Sequence, residues 1–181
     1  AQAVASGILQ SPHNSVEYIY LNSLNIQPCQ GCGGCNKTGK CIINDDMSEL
    51  YNKIDEAHRL FFVSPIYFYS VSAQLKTFID RCQAQWARKY LLHNVQPQAI
   101  NRSGYLLSCA ATKGEKLFSG TELVIQCLCD TLDIKYGAPL LINNVEEIDA
   151  IKNKKDVLAS CIRFGTQLTN DHNLSTNKLK R

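Results

Sequence analysis

Strand-type and helix-type segments alternate along this chain from end to end, and that alternation restricts its fold more than any other feature. Residues 16–21 (VEYIYL) are rich in β-branched and aromatic side chains and read as a strand. Asp46 can cap a helix with Glu49 as the other half of a capping box, and Met47, Leu50, Ile54 and Ala57 form its buried stripe. Residues 60–63 (LFFV) are a continuous apolar run of the kind found in strands covered on both faces, and Pro65 stops it. Ser72 opens a longer helix with Leu75, Ile79, Cys82, Trp86 and Tyr90 at spacings of three and four. A strand over 104–109 (GYLLSC), a helix carrying Leu123, Cys127, Leu128 and Leu132, a strand over 138–142 (APLLI) and a helix marked by Val157, Leu158, Cys161, Ile162 and Leu168 complete the pattern. Such a series builds right-handed βαβ units around a doubly wound parallel sheet with helices on both faces. Ligands of these sheets bind beyond the carboxyl ends of the strands. The loops over 22–45, 64–72 and 109–120 are therefore the ones to search.

At 181 residues the chain suits one domain, taken as 1–170, followed by a polar tail over 171–181. The front departs from the pattern. Residues 1–10 resemble the end of an amphipathic helix with Val4, Ile8 and Leu9 on one side, and residues 11–15 read as a plain turn. A phosphate loop should feed a helix, whose first amides hold the anion. Here a strand-type segment follows instead. A first strand and its phosphate loop are accordingly expected to precede Ala1, giving five strands in all.

Charge excludes some functions. The net charge is +3, with Lys178, Lys180 and Arg181 in the tail, and no basic stripe of the kind that binds nucleic acid is present. No apolar run approaches the ~20 residues of a membrane span. Nine cysteines are an odd number for a disulfide framework. Four crowd into residues 29–41, and the others (Cys82, Cys109, Cys127, Cys129 and Cys161) lie in apolar segments as small hydrophobes. A reducing cytoplasm with one special thiolate site fits that distribution.

Cys29-x2-Cys32-x2-Cys35-x5-Cys41 is the sharpest local signal. Three thiols at successive x2 spacing let a short loop wrap a [4Fe–4S] cube, and Cys41 would close it. Gly31, Gly33 and Gly34 permit positive φ and leave amides free to donate to cluster sulfurs. Zinc fits less well, because its structural sites usually take two separated cysteine pairs. The alternative is a metal-free loop whose thiols pack or pair on oxidation. A second site lies at 64–76 (SPIYFYSVSAQLK), where Tyr67, Phe68 and Tyr69 follow a buried strand. Three aromatics at a loop end have either a flat conjugated ring or a neighbouring subunit as partner. Lys76 and Asp80, at i,i+4, read as a solvated ion pair. The loop over 110–118, small and polar around Gly114, could run beside a flat ligand. His13, His58, His93 and His172 have no partner spacing for metal or catalysis.

PCQGCGGC…GKCIINDDM followed by SPIYFYSVSAQLKTFIDRCQ resembles the NAD(P)H-dependent FMN reductases of flavodoxin-like fold, and within them the iron–sulfur flavoproteins. The resemblance runs from residue 16 to about residue 168. It implies FMN, with Pro65, Ile66, Tyr67 and Phe68 along the isoalloxazine and Ala110, Ala111 and Thr112 on its other side. It also implies NAD(P)H as donor, an electron acceptor, and a homodimer or homotetramer. The possible [4Fe–4S] ligands are Cys29, Cys32, Cys35 and Cys41. The family's Ser/Arg/Asn/Thr phosphate loop has no counterpart in this sequence. The flavin ring performs such chemistry, so no side chain is nominated as catalytic acid or base. The alternatives are an FMN electron-transfer module without its own NAD(P)H oxidation, and a non-redox binding protein on the same fold.

Overall fold

The computed structural model describes residues 1–94, 101–147 and 149–177, with side chains described through residue 169. It contains two compact units, Tyr20–Asn144 and a smaller one formed by Ala1–Ile19 with the chain from Val145 onward.

The larger unit is built on a parallel sheet of four strands: β1 (Arg59–Pro65), β2 (Ser103–Cys109), β3 (Lys135–Tyr136) and β4 (Leu140–Ile142). β1 pairs with β2 along its whole length, from Arg59 opposite Ser103 to Pro65 opposite Cys109. β3 and β4 share the other side of β2, β3 at Ser103 and Gly104 and β4 at residues 107–109. They are two pieces of one strand, interrupted where Pro139 offers no amide to the ladder. β2 is the central strand and is buried throughout its interior.

Three helices pack on one face of this sheet. The buried stripes of α3 (Met47–Glu56), α4 (Ala73–Arg81) and α6 (Ser119–Thr131) meet Phe62 and Leu106 in a single apolar cluster that includes Met47, Leu50, Ile54, Leu75, Phe78, Ile125 and Leu128. On the opposite face Phe61 stacks on Tyr105, ring centroids 5.2 Å apart. The LFFV run is thus not covered evenly: Phe62 is buried but Val63 is 51% exposed.

Several elements differ from the sequence pattern. The strand expected over 16–21 is absent. Residues 14–20 carry no regular structure, and Leu21–Ser23 forms a 3₁₀ turn. Strand propensity is realised only inside a ladder, and the described ladder runs from β1 to β3 and β4 without this segment. The long helix expected from Ser72 through Tyr90 is broken at Cys82, whose amide reaches both Phe78 and Ile79 carbonyls. α5 (Gln83–Trp86) and a π-helix (Ala87–Leu91) continue it in a different register. On α6, Leu123 and Cys127 are exposed and Ile125 and Cys129 take the buried positions. Cys82, Cys129 and Cys161 are buried as expected, and Cys109 is half-buried.

In the smaller unit α1 (Gln2–Ile8) packs along α7 (Lys155–Asn177), burying Val4, Ile8, Cys161 and Leu168. α1 ends at Ile8, which leaves Leu9 51% exposed rather than on the apolar side. The backbone of α7 continues through Asn177, so most of the expected polar tail is helical; residues 178–181 lie outside the described residues. Among the described residues no helix is long and apolar enough to cross a membrane.

Candidate functional site

The loops after the parallel strands leave the sheet together. Ile66 N donates to the Cys109 carbonyl at 2.9 Å, and Ala110 N donates to the Ile142 carbonyl at 2.9 Å, which joins the exits of β1, β2 and β4. Two buried serines lock this end. Ser108 Oγ donates to the Ser64 carbonyl at 2.7 Å, while Ser64 Oγ accepts from Ser72 N at 2.9 Å and donates to the Pro65 carbonyl at 2.8 Å. Ser72 then caps α4, its hydroxyl accepting from Leu75 N.

From this anchored base the aromatic turn projects. Tyr67 and Ser70 exchange two backbone hydrogen bonds of 3.0 Å, and between them Phe68 and Tyr69 hold φ of 49° and 61°. Positive φ is uncommon for bulky residues and costs of order 1–3 kcal/mol each. Phe68 is fully exposed, with Tyr67 and Tyr69 about 60% exposed. Gly120, early in α6, lies against the turn: a Cβ there would stand 2.3 Å from the Tyr69 carbonyl oxygen. The structure therefore brings Pro65, Ile66, Tyr67 and Phe68 beside Ala110, Ala111 and Thr112 at one end of the sheet, with Ala110 buried and Ala111 and Thr112 exposed.

The cysteine loop is ordered differently. A pocket of about 220 Å³ is lined by Cys29, Cys32, Cys35 and Cys41, with Arg81 and Gln83 from α4 and α5. Gly31 and Gly33 hold φ of 63° and 70°, as their place in a wrapping loop requires. Gly34 does not. It starts the short helix α2 (Cys35–Thr38) at φ −58°, and a Cβ there would meet Ile42 at 2.6 Å, so its role is close approach. Cys29 and Cys32 are exposed, while Cys35 and Cys41 are half-buried. The Cys35 thiol pKa is raised, first by burial and then by the neighbouring Cys41, Cys29 and Cys32. Among the described residues, no three His, Cys, Asp or Glu side chains converge as ligands of one metal ion.

Two residues that sequence reasoning passed over hold this loop. Arg81 and Asp45 form an ion pair in which both side chains are fully buried, with Nη1 2.6 Å and Nη2 3.0 Å from the carboxylate oxygens. Burial works to raise the Asp45 pKa, but the Arg81 hydrogen bond, with help from the amides of Gln27 and Met47, holds it below the usual carboxylate range. The expected capping box does not form. Asp46 accepts instead from Asn25 N at 2.7 Å, and the amide of Met47 is satisfied by Asp45 at 3.1 Å. One signal existed in the sequence: an arginine three residues beyond Phe78 on a buried stripe, and two adjacent acids where a cap needs one. Lys76 and Asp80 make the expected surface ion pair at 2.7 Å. His13, His58 and His93 are exposed, and His172 is outside the described side chains.

The sequence model of a family described as NADPH-dependent FMN reductase matches residues 1–112. An iron-sulfur flavoprotein of Archaeoglobus fulgidus is 41% identical over 73 residues, which are 40% of this chain and 33% of that protein. An iron-sulfur flavoprotein of Clostridioides difficile is 35% identical over 131 residues, 70% of this chain and 55% of that protein. This chain thus spans from a third to just over half the length of these curated relatives. Among solved structures, an FMN-dependent NADH-azoreductase from Bacillus anthracis in complex with FMN superposes with a TM-score of 0.64 at 10% identity, covering 92% of this chain and 88% of that one.

Proposed function

The chain belongs to the NADPH-dependent FMN reductase family and has a flavodoxin-like α/β fold, and from that footing we propose that it is an FMN-dependent oxidoreductase taking a hydride from NAD(P)H and passing electrons to an acceptor. The observation that carries this reading is the aromatic turn at the carboxyl end of the sheet. A bulky residue held in the left-handed region with its whole ring in solvent is costly, and a planar ligand gives that cost a purpose. Pro65, Ile66, Tyr67 and Phe68 would line one side of the isoalloxazine, and Ala110, Ala111 and Thr112 the other. FMN, when bound, supplies hydride acceptance and one-electron release. The protein's part is to orient the ring and exclude water. The Ser64–Ser108 lock keeps the two loops at fixed separation, and the Ile66 and Ala110 amides are already committed to strand carbonyls.

The cysteine pocket is proposed to hold a [4Fe–4S] cluster on Cys29, Cys32, Cys35 and Cys41. The donor set supports this reading. Four cysteines line one pocket. A cube carries an iron at each of four corners and so takes ligands spread around a cavity. Such a protein would work in the cytoplasm as a homodimer or homotetramer, with a second subunit covering the exposed ring of Phe68.

A crossed test on the full chain separates the two groups. Anaerobic wild type should bind both FMN and iron. Tyr67→Ala should weaken FMN roughly two- to tenfold, the range of one aromatic contact, and keep its iron. Cys41→Ser should lose most iron and keep FMN. Wild type that takes up no FMN would end the oxidoreductase reading; wild type with FMN but no iron after reconstitution would reduce it to a simple flavin reductase.

A further inference from the structure

The guanidinium of Arg81 touches both ends of the cysteine loop. Nη1 donates to the Gln27 carbonyl at 2.8 Å, two residues before Cys29, and to Asp45 at 2.6 Å. Nη2 donates to Asp45 at 3.0 Å and leans on the Ile43 carbonyl at 3.4 Å, two residues after Cys41. Asp45 in turn accepts from Gln27 N at 2.9 Å, so the entering and leaving strands of the loop are tied to each other as well as to α4. The far side of Arg81 is also fixed, since Tyr51 Oη donates to its carbonyl at 2.8 Å. A charge pair with no solvent exposure is expensive unless most of its valences are met; here Nη1 and Nη2 each make two hydrogen bonds, while the buried Nε has no partner.

We infer that Arg81 is a positioning residue that clasps the base of the cysteine loop and keeps the four thiols facing one pocket whether or not that pocket is filled. A lysine could not substitute. It presents one point charge on a flexible stem, whereas this clasp needs a planar fork reaching a carboxylate and two carbonyls at once. Arg81 also lines the pocket, so it places positive charge beside Cys41, the thiol closing the loop. Burial disfavours that charge, but the hydrogen-bonded Asp45 carboxylate outweighs it. The consequence is a loop whose two ends are fixed by protein contacts alone, so cluster assembly would meet a prepared ligand set.

The inference depends on the cluster reading only for its iron measurement; its other measurement needs no metal. Wild type, Arg81→Lys and Asp45→Asn are alkylated without metal under native reducing conditions, and each cysteine is followed by peptide mass. In wild type Cys29 and Cys32 should react first, with half-buried Cys35 and Cys41 slower and buried Cys82 and Cys129 protected. In both variants Cys35 and Cys41 should react about tenfold faster, a local opening made easier by about 1.4 kcal/mol, while Cys82 and Cys129 stay protected. If wild type holds iron, both variants should hold several-fold less at equal FMN content. If wild type holds none, the cluster reading fails and the clasp is judged on alkylation alone. Unchanged Cys35 and Cys41 rates would overturn the inference. So would a uniform rise that includes Cys82 and Cys129, because Arg81 would then be supporting the core.

Discussion

The cysteine loop and the aromatic turn lie in the same unit but are held by opposite means. The loop has an ion pair at its base with no solvent exposure, and its irregular path is tied down by side chains of Arg81, Asp45 and Asp46. The turn has a rigid foot of buried serines, and beyond it the hairpin is held by two backbone hydrogen bonds between Tyr67 and Ser70 and by the close approach of Gly120 to Tyr69. Its rings stand in solvent and its backbone is strained. On the proposed function, the difference matches what each ligand class would demand. Thiolates must be held to a geometry before a cluster can bridge them, because each iron is fixed by its ligand. On that reading, order is concentrated at the cysteine loop and strain at the aromatic turn.

The largest expected effect comes from breaking the clasp outright. Asp45→Ala leaves the Arg81 cation buried without its carboxylate, and removing one partner of such a pair typically costs about 3–5 kcal/mol. Chemical denaturation of the variant should show that loss; a cost below about 1 kcal/mol would mean the loop is held by something other than this pair.

A middle-sized effect concerns acid. The Asp45 pKa is depressed below its ordinary 3.8 in the folded protein, so its contribution to stability is fully present above that value. That contribution is lost as pH falls below 3.8 toward the lower folded value, when the carboxylate gains its proton. Near neutral pH the contribution is full and constant, so stability there should not vary with pH through this group. Asp45→Asn should accordingly flatten the acid limb of the stability profile, measured by denaturant titration at stepped pH, relative to wild type.

The smallest stability effect should fall on the turn. Phe68→Gly relieves a bulky residue of its left-handed backbone, and the greater freedom of glycine in the unfolded chain offsets much of that gain. Stability should stay within about 1 kcal/mol of wild type while FMN affinity, followed by fluorescence quenching, falls. A large destabilisation would show that the turn, like the loop, is integral to the core, and the contrast between the two regions would disappear.

Much of this molecule could be read from its sequence. Apolar patterning alone identified β1, β2 and β4 and the helix stripe of Met47, Leu50 and Ile54, because burial periodicity is local information. The cysteine spacing and the run of three aromatics were equally plain. What needed the tertiary structure was anything that depends on a partner distant in the chain. Residues 16–21 have strand composition, but a strand exists only in a ladder, and the described sheet does not include them. The break at Cys82 and the shift to Ile125 and Cys129 as the buried residues of α6 reflect packing rather than propensity. Asp45 and Arg81 are 36 positions apart, and nothing in their separate neighbourhoods says that they meet. Their pairing arises because the loop returns across the end of α4, where two charges removed from water must find each other or stay unburied.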